Sequence, residues 1–225
     1  MKDKTHFTLM VSTAADGSRQ PLAVIGKSKK IRCFDLLSHP LPYRNQTKAW
    51  FDKVVTKWWI ESVFWSDHAI KNENKNCILI LDNCSAHKIE YSTFSPHLTV
   101  KFLPPNVTSG HQPADMGMIA GLKLGYKGNY LRSLLRIFDE GGGYSRASEL
   151  RSRQRPGCKG LAFGGKPHIL DAMCILDEIW SGRTGKFISD ESIQRCWRKA
   201  DILPLEWNLD IINKVGSASS GRKEK

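Results

Sequence analysis

Apolar and polar positions change period several times along this chain, and each change marks an element. His6-Phe-Thr-Leu-Met-Val-Ser-Thr13 is rich in β-formers and partly alternating, Ala14-Ala-Asp-Gly-Ser18 has an Asp-Gly core, and Pro21-Leu-Ala-Val-Ile25 resumes the apolar run. Two such runs around an Asp-Gly turn predict a β-hairpin. Residues 26–46 are basic at first and then punctuated by prolines, and they read as irregular. Over 47–65 the period becomes 3.6. Trp50, Phe51, Val54, Val55, Trp58, Trp59 and Val63 make a broad apolar stripe, with Thr47 as the expected N-cap. A face packed on a sheet is the expected use of that stripe; base stacking by its tryptophans is the alternative.

Cys77-Ile-Leu-Ile-Leu81 is a short continuous apolar run, as expected of a strand covered on both faces. Residues 98–103 predict a second strand, stopped by Pro104-Pro105. Over 117–138 the pattern is helical. Ile119, Leu122, Tyr126, Tyr130, Leu131, Leu134 and Leu135 are placed near one face, and Lys123, Lys127, Arg132 and Arg136 off it. Glycines 121, 125 and 128 weaken this helix by roughly 1 kcal/mol each relative to alanine. A Gly- and Arg-rich loop over 141–166 precedes two helices, about 168–181 and 190–200, and a polar tail over 216–225 that is expected to be disordered. The order of hairpin, helix, strand, strand and helices predicts an α/β fold, a mixed sheet flanked by helices.

Charge adds a partner class. Lys and Arg outnumber Asp and Glu by 34 to 22, a formal net charge of +12. That excess favours a polyanion, because each neutralised phosphate releases counterions; a generic basic protein is the plain alternative. The 225 residues, 40% of them hydrophobic, suffice for one large domain or a domain with an appendage. No run of 18 apolar residues occurs, so no membrane partner is expected. Met1-Lys-Asp-Lys4 leads into a mixed segment rather than the apolar core of a secretory signal. The six cysteines include no Cys-x-x-Cys and are read as reduced thiols of an intracellular protein. Cys84 and His87 have the spacing of half a zinc site, but no second pair completes it.

The candidate chemistry rests on two carboxylates. Asp82 ends the 77–81 run and precedes Asn83-Cys-Ser-Ala-His87; Asp115 lies in Gln112-Pro-Ala-Asp-Met-Gly117, just before a helical pattern. A carboxylate at a strand end and another at a helix start are suited to share a hard divalent cation, which takes oxygen ligands and substrate phosphates.

Several blocks, in order, carry a resemblance. Lys4-x-x-Phe7-Thr8 through Ala15-Asp-Gly-Ser18, Pro21-Leu22-x-Val24-Ile-Gly-Lys-Ser28 and Arg32-Cys-Phe34 are one part of it. Leu79-Ile-Leu-Asp82-Asn83-x-x-Ala86-His87 is a second, and 100–109 with Gln112-Pro113-x-Asp115-x-Gly117-x-Ile119 a third. Ile169-Leu-Asp-Ala172 and Ile193-x-x-Cys196-Trp-Arg-Lys-Ala-Asp-Ile-Leu203 extend it to about residue 204. Together they resemble the DDE superfamily of pogo, Tigger and jerky transposases. The resemblance implies an RNase-H-like fold and metal-dependent cutting and joining of DNA. In that chemistry two ions, about 3.5–4 Å apart and held by three carboxylates, activate a water or a 3′-hydroxyl and stabilise the leaving oxygen.

Carried onto this sequence, the resemblance makes Asp82 and Asp115 the catalytic and metal-binding residues, for Mg2+ or Mn2+. Asn83 and His87 become candidates to orient metal, water or phosphate; the plainer reading has Asn83 capping a turn and His87 bonded to backbone. The implied partner is DNA and the implied compartment the nucleus. Candidate nucleic-acid contacts are Lys27, Lys29, Lys30, Arg32, Lys123, Lys127 and Arg132, together with the 141–166 arginines. The family's first aspartate lies on a strand before the Lys4 block, so this chain is expected to start after it. The N-terminal helix-turn-helix modules and the central strand are expected to be missing with it. Without that strand the hairpin and the Asp82 strand would either pair directly or leave two sheet edges unpaired, and unpaired edges invite homo-oligomers; without the first aspartate, metal binding is expected to be weak and catalysis lost. The expected division is an incomplete RNase-H-like domain over 1–140, the basic loop over 141–166, C-terminal helices of the same domain over 167–204 and a tail over 205–225. A non-catalytic DNA- or chromatin-binding protein domesticated from a transposase is the alternative function. An unrelated magnesium-dependent nuclease is a third.

Overall fold

In a computed structural model, residues 6–29, 31, 40–72, 75–105, 108–140, 169–182 and 188–204 are described. Their strands divide between two sheets, and the chain between two compact units.

The first unit comprises Met1–Met10, Leu22–Phe51 and Gly121–Phe187. Here β1 (Thr8–Met10) runs antiparallel to β2 (Ala23–Gly26), Thr8 opposite Ile25, which are the strands of the expected hairpin in shorter form. β2 is joined on its other side, in parallel, by β3 (Tyr43–Asn45), with Gly26 opposite Asn45. Residues 26–46 are therefore not wholly irregular. A three-residue strand whose partner is distant in sequence leaves no local period to read. Every residue of β2 is buried, as befits the central strand, while β1 and β3 are the edges. Gly26 packs closely against Tyr43: a Cβ there would lie 2.5 Å from Tyr43 Oη, so the ring would have to shift.

Two helices complete this unit: α4 (Met118–Glu140), from Gly121 onward, and α5 (Ile169–Ser181). The α5 helix buries Leu170, Met173, Leu176, Ile179 and Trp180, a 3.6-residue pattern. The α4 helix corrects the single-face reading. Leu122 is buried, but Leu131 and Leu135 are 57% and 61% exposed, and Leu124 is 71% exposed. At about 100° per residue Leu124, Leu131 and Leu135 all fall roughly opposite Leu122, so one packing surface cannot cover both sets.

The second unit comprises Val11–Pro21, Asp52–Ala120 and Ile188–Lys225. Helix α1 (Lys53–Trp59) is capped by Asp52, whose Oδ1 accepts the Val55 N–H at 2.8 Å. Thr47 is not the cap. It lies in an exposed turn, and the apolar residues next to it fail the stripe: Trp50 is 66% and Val54 63% exposed. The α1 helix passes through a π-helical turn (Ile60–Phe64) into α2 (Trp65–Asn72). The wider turn brings Trp59 and Phe64, five residues apart, within 5.2 Å between ring centroids, and both are buried.

Strands β4 (Cys77–Leu81) and β5 (Leu98–Phe102) pair in parallel, Cys77 opposite Leu98. Leu79 and Leu81 are buried, but Ile78 is 51% exposed, so β4 is not covered on both faces as expected. A two-stranded sheet packed on one side alternates inward and outward positions. Beyond it come α3 (Thr108–His111), a 3-10 turn (Pro113–Met116) and α6 (Asp190–Ala200). Ser189 N-caps α6, and Asp201 ends it in the left-handed conformation, φ 50°. The 11–21 loop is tied to the start of α6. Gly17, φ +93°, sits where a Cβ would lie 2.7 Å from the Asp190 carbonyl, and Arg19 pairs with Asp190 at 2.6 Å.

Candidate active site

Both candidate aspartates lie in the second unit, each on a turn that follows regular structure. Pairing with β5 ends at Leu81, and the chain turns at once. Asp82 Oδ1 accepts the Cys84 N–H at 3.3 Å, the local bond that makes aspartate a turn former. The short 3-10 helix Ser85–His87 folds His87 back, so that its Nδ1 stands 2.6 Å from Asp82 Oδ1. The two side chains are 29% and 12% exposed, a partly sheltered pair.

Two anchors hold this loop. The fully buried Thr56 donates from its hydroxyl to the Ala86 carbonyl at 3.0 Å, fixing the turn to α1. The Tyr91 hydroxyl donates to the His87 carbonyl at 2.5 Å, and its ring meets Phe102 of β5 edge-on. Burial pushes the Tyr91 phenol up to about 12. Neither anchor is suggested by the sequence: Thr56 bonds a carbonyl 30 residues away, and Tyr91 bonds one four residues back through a loop with no repeating pattern. The remaining motif residues differ in their surroundings. Asn83 is half-buried beside the pair, and Cys84 is an exposed free thiol.

Asp115 sits in the Pro113–Met116 turn, which opens on a buried proline. Its N–H donates to the Gln112 carbonyl at 3.0 Å, and its side chain is exposed. Gly117, φ +134°, makes the bend that lets α4 begin. The turn packs on α6, where the Cys196 thiol donates to the Met116 carbonyl at 3.5 Å. His111, from the turn before it, contacts the last carbonyl of α6, Ala200, through Nδ1 at 2.8 Å.

These residues do not fit the two-ion centre that the resemblance implies. Among the described residues no group of three or more His, Cys, Asp or Glu side chains could hold a metal ion. One oxygen of Asp82 already faces an imidazole and an amide N–H. Of the basic candidates, Lys27, Lys29, Lys123, Lys127 and Arg132 are exposed and belong to the first unit. Arg132 also donates to Asn129 Oδ1 at 2.8 Å. Lys30, Arg32 and the 141–166 arginines lie outside the described residues. No helix among the described residues is long and apolar enough to cross a membrane.

Comparison with known proteins adds the ancestry. The family model described as DDE superfamily endonuclease matches residues 4–197. Tigger transposable element-derived protein 4 of Mus musculus is 28% identical over 134 residues, 59% of this chain and 25% of that protein. The Jerky protein of Mus musculus is 27% identical over 210 residues, 87% of this chain and 31% of that protein. Jerky protein homolog of Homo sapiens is 31% identical over 126 residues, 51% of this chain and 22% of that protein. The chain thus spans 22–31% of the length of these relatives. No solved structure matches it.

Proposed function

Because the chain belongs to the DDE superfamily of endonucleases, we propose that it is a transposase-derived, DNA-binding domain that does not cut DNA by itself. The ancestral activity is metal-dependent endonuclease and strand-transfer chemistry, and the setting is the nucleus. One observation carries the non-cutting reading: Asp82 Oδ1, the oxygen a cation would need, is held against His87 Nδ1 at 2.6 Å. Two carboxylates and substrate phosphates suit one Mg2+ or Mn2+ ion, but they supply too little negative charge to hold the pair of ions that strand transfer uses.

What the residues retain is a way to hold DNA. The +12 charge attracts the duplex, and the exposed Lys27, Lys29, Lys123, Lys127 and Arg132 meet its phosphates. The name of one relative, transposable element-derived, is in keeping with a transposase origin.

The test places the purified chain on supercoiled plasmid with Mg2+ and, separately, Mn2+, and measures duplex binding in the same buffers. Binding without nicking is the expected result. Nicking that disappears in Asp82→Ala would refute the non-cutting reading, and failure to bind any DNA would refute the rest.

A further inference from the structure

The turn after β3 holds a tryptophan out in solvent and fixes the backbone that leads into it. Trp50 is 66% exposed, while its neighbour Ala49 is fully buried at φ 54°, a conformation that side chains with a Cβ rarely adopt. Gln46 Oε1 accepts the N–H groups of both Lys48, at 2.6 Å, and Trp50, at 3.3 Å. The Thr8 hydroxyl donates to the Ala49 carbonyl at 2.7 Å, and His6 Nε2 lies 3.0 Å from the Lys48 carbonyl. Packing does not require the indole here, yet this turn presents it in one place.

The same sheet brings cations to it. The parallel register sets Gly26 opposite Asn45, and the Gln46 N–H bonds the Gly26 carbonyl at 2.8 Å. Lys27 and Lys29, which follow β2, therefore leave the sheet at the end from which Lys48 and Trp50 leave it after β3. All three lysines are exposed. No Asp or Glu occurs in 6–10, 21–29 or 40–51.

We propose that Trp50 is a stacking platform for an unpaired base of single-stranded DNA, with Lys27, Lys29 and Lys48 taking its phosphates. An indole face stacks on any base, and flanking cations follow the backbone, the combination that binds single strands without regard to sequence. A base within a duplex is already stacked on its neighbours, so this site favours frayed, looped or displaced strands. The proposal rests on the reading of the chain as DNA-binding and extends it to the state of the strand.

Fluorescence anisotropy with labelled oligo(dT), and with a duplex of equal length at the same salt, separates the two. Trp50→Ala is expected to weaken oligo(dT) binding at least about tenfold, ~1.4 kcal/mol, and to leave the duplex nearly unchanged. Trp50→Phe, which keeps a π-face, is expected to retain most single-strand affinity. Because the side chain is exposed, its removal opens no core cavity, and a far-ultraviolet spectrum checks the fold of each variant. Unchanged oligo(dT) binding by Trp50→Ala, or an equal loss on both DNAs, overturns the platform and leaves the DNA-binding reading standing. Failure of the unaltered chain to bind either DNA overturns both. Tighter binding of oligo(rU) than of oligo(dT) overturns the assignment to DNA.

Discussion

Tyr91 shows how much a single partly buried hydroxyl can decide. It lies outside the aspartate motif, yet its bond to the His87 carbonyl helps to keep His87 against Asp82. Its phenol is raised from the ordinary 10.0 to about 12 by burial. A raised folded-state value means that the folded protein holds the proton more tightly than the unfolded chain. The stabilisation is then complete below pH ~10 and disappears as pH rises toward ~12. Tyr91→Phe should lose the hydrogen bond, about 1 kcal/mol at neutral pH, and with it this part of the alkaline dependence. The stability gap between the two proteins, measured by urea unfolding, should therefore narrow as pH climbs past 10. A gap that stays constant from pH 8 to pH 11 would show that Tyr91 is not held as described.

At the scale of the element, what local pattern controls was legible and what distant pairing controls was not. The 77–81 strand and the 190–200 helix match their expected bounds because each carries a strong local signal: an uninterrupted apolar run in one, a Ser cap and a clear 3.6-residue period in the other. Asp82 was found at a strand end for the same reason. The third strand depends on a partner distant in sequence, and the π-helical turn and the contact between His87 and Asp82 depend on local geometry that residue pattern does not encode. The start of α1 is instructive, because Thr47 and Asp52 are both good caps by residue type. Gln46 settles the choice. By taking the Lys48 and Trp50 N–H groups it keeps 47–50 in a turn, and Asp52 becomes the first residue able to accept from a helical N–H. Asp52→Ala should thus destabilise the chain by about 1 kcal/mol, the usual value of an N-cap, whereas Thr47→Ala should change little. Thermal melts of the two variants distinguish these; equal shifts would mean that the helix start is misplaced.

For the molecule as a whole, a charge of +12 admits two kinds of DNA binding that look alike at one salt concentration. Diffuse attraction follows total charge, so removing any lysine weakens it about equally. Contact with phosphates follows position, so only lysines at the interface matter. Lys123 and Lys127 stand one turn apart on α4, both exposed, and face the same side of the helix. Lys57, in the second unit, is exposed too but lies 3.9 Å from Glu61 on its own helical surface. Each phosphate contact contributes roughly 0.9 to the slope of log affinity against log salt. Replacing Lys123 and Lys127 together by alanine should then flatten the duplex-binding slope by about 2, while Lys57→Ala should leave it unchanged. Should Lys57→Ala flatten the slope as much per charge as the pair on α4, binding is governed by net charge. In that case Lys123 and Lys127 are ordinary surface lysines.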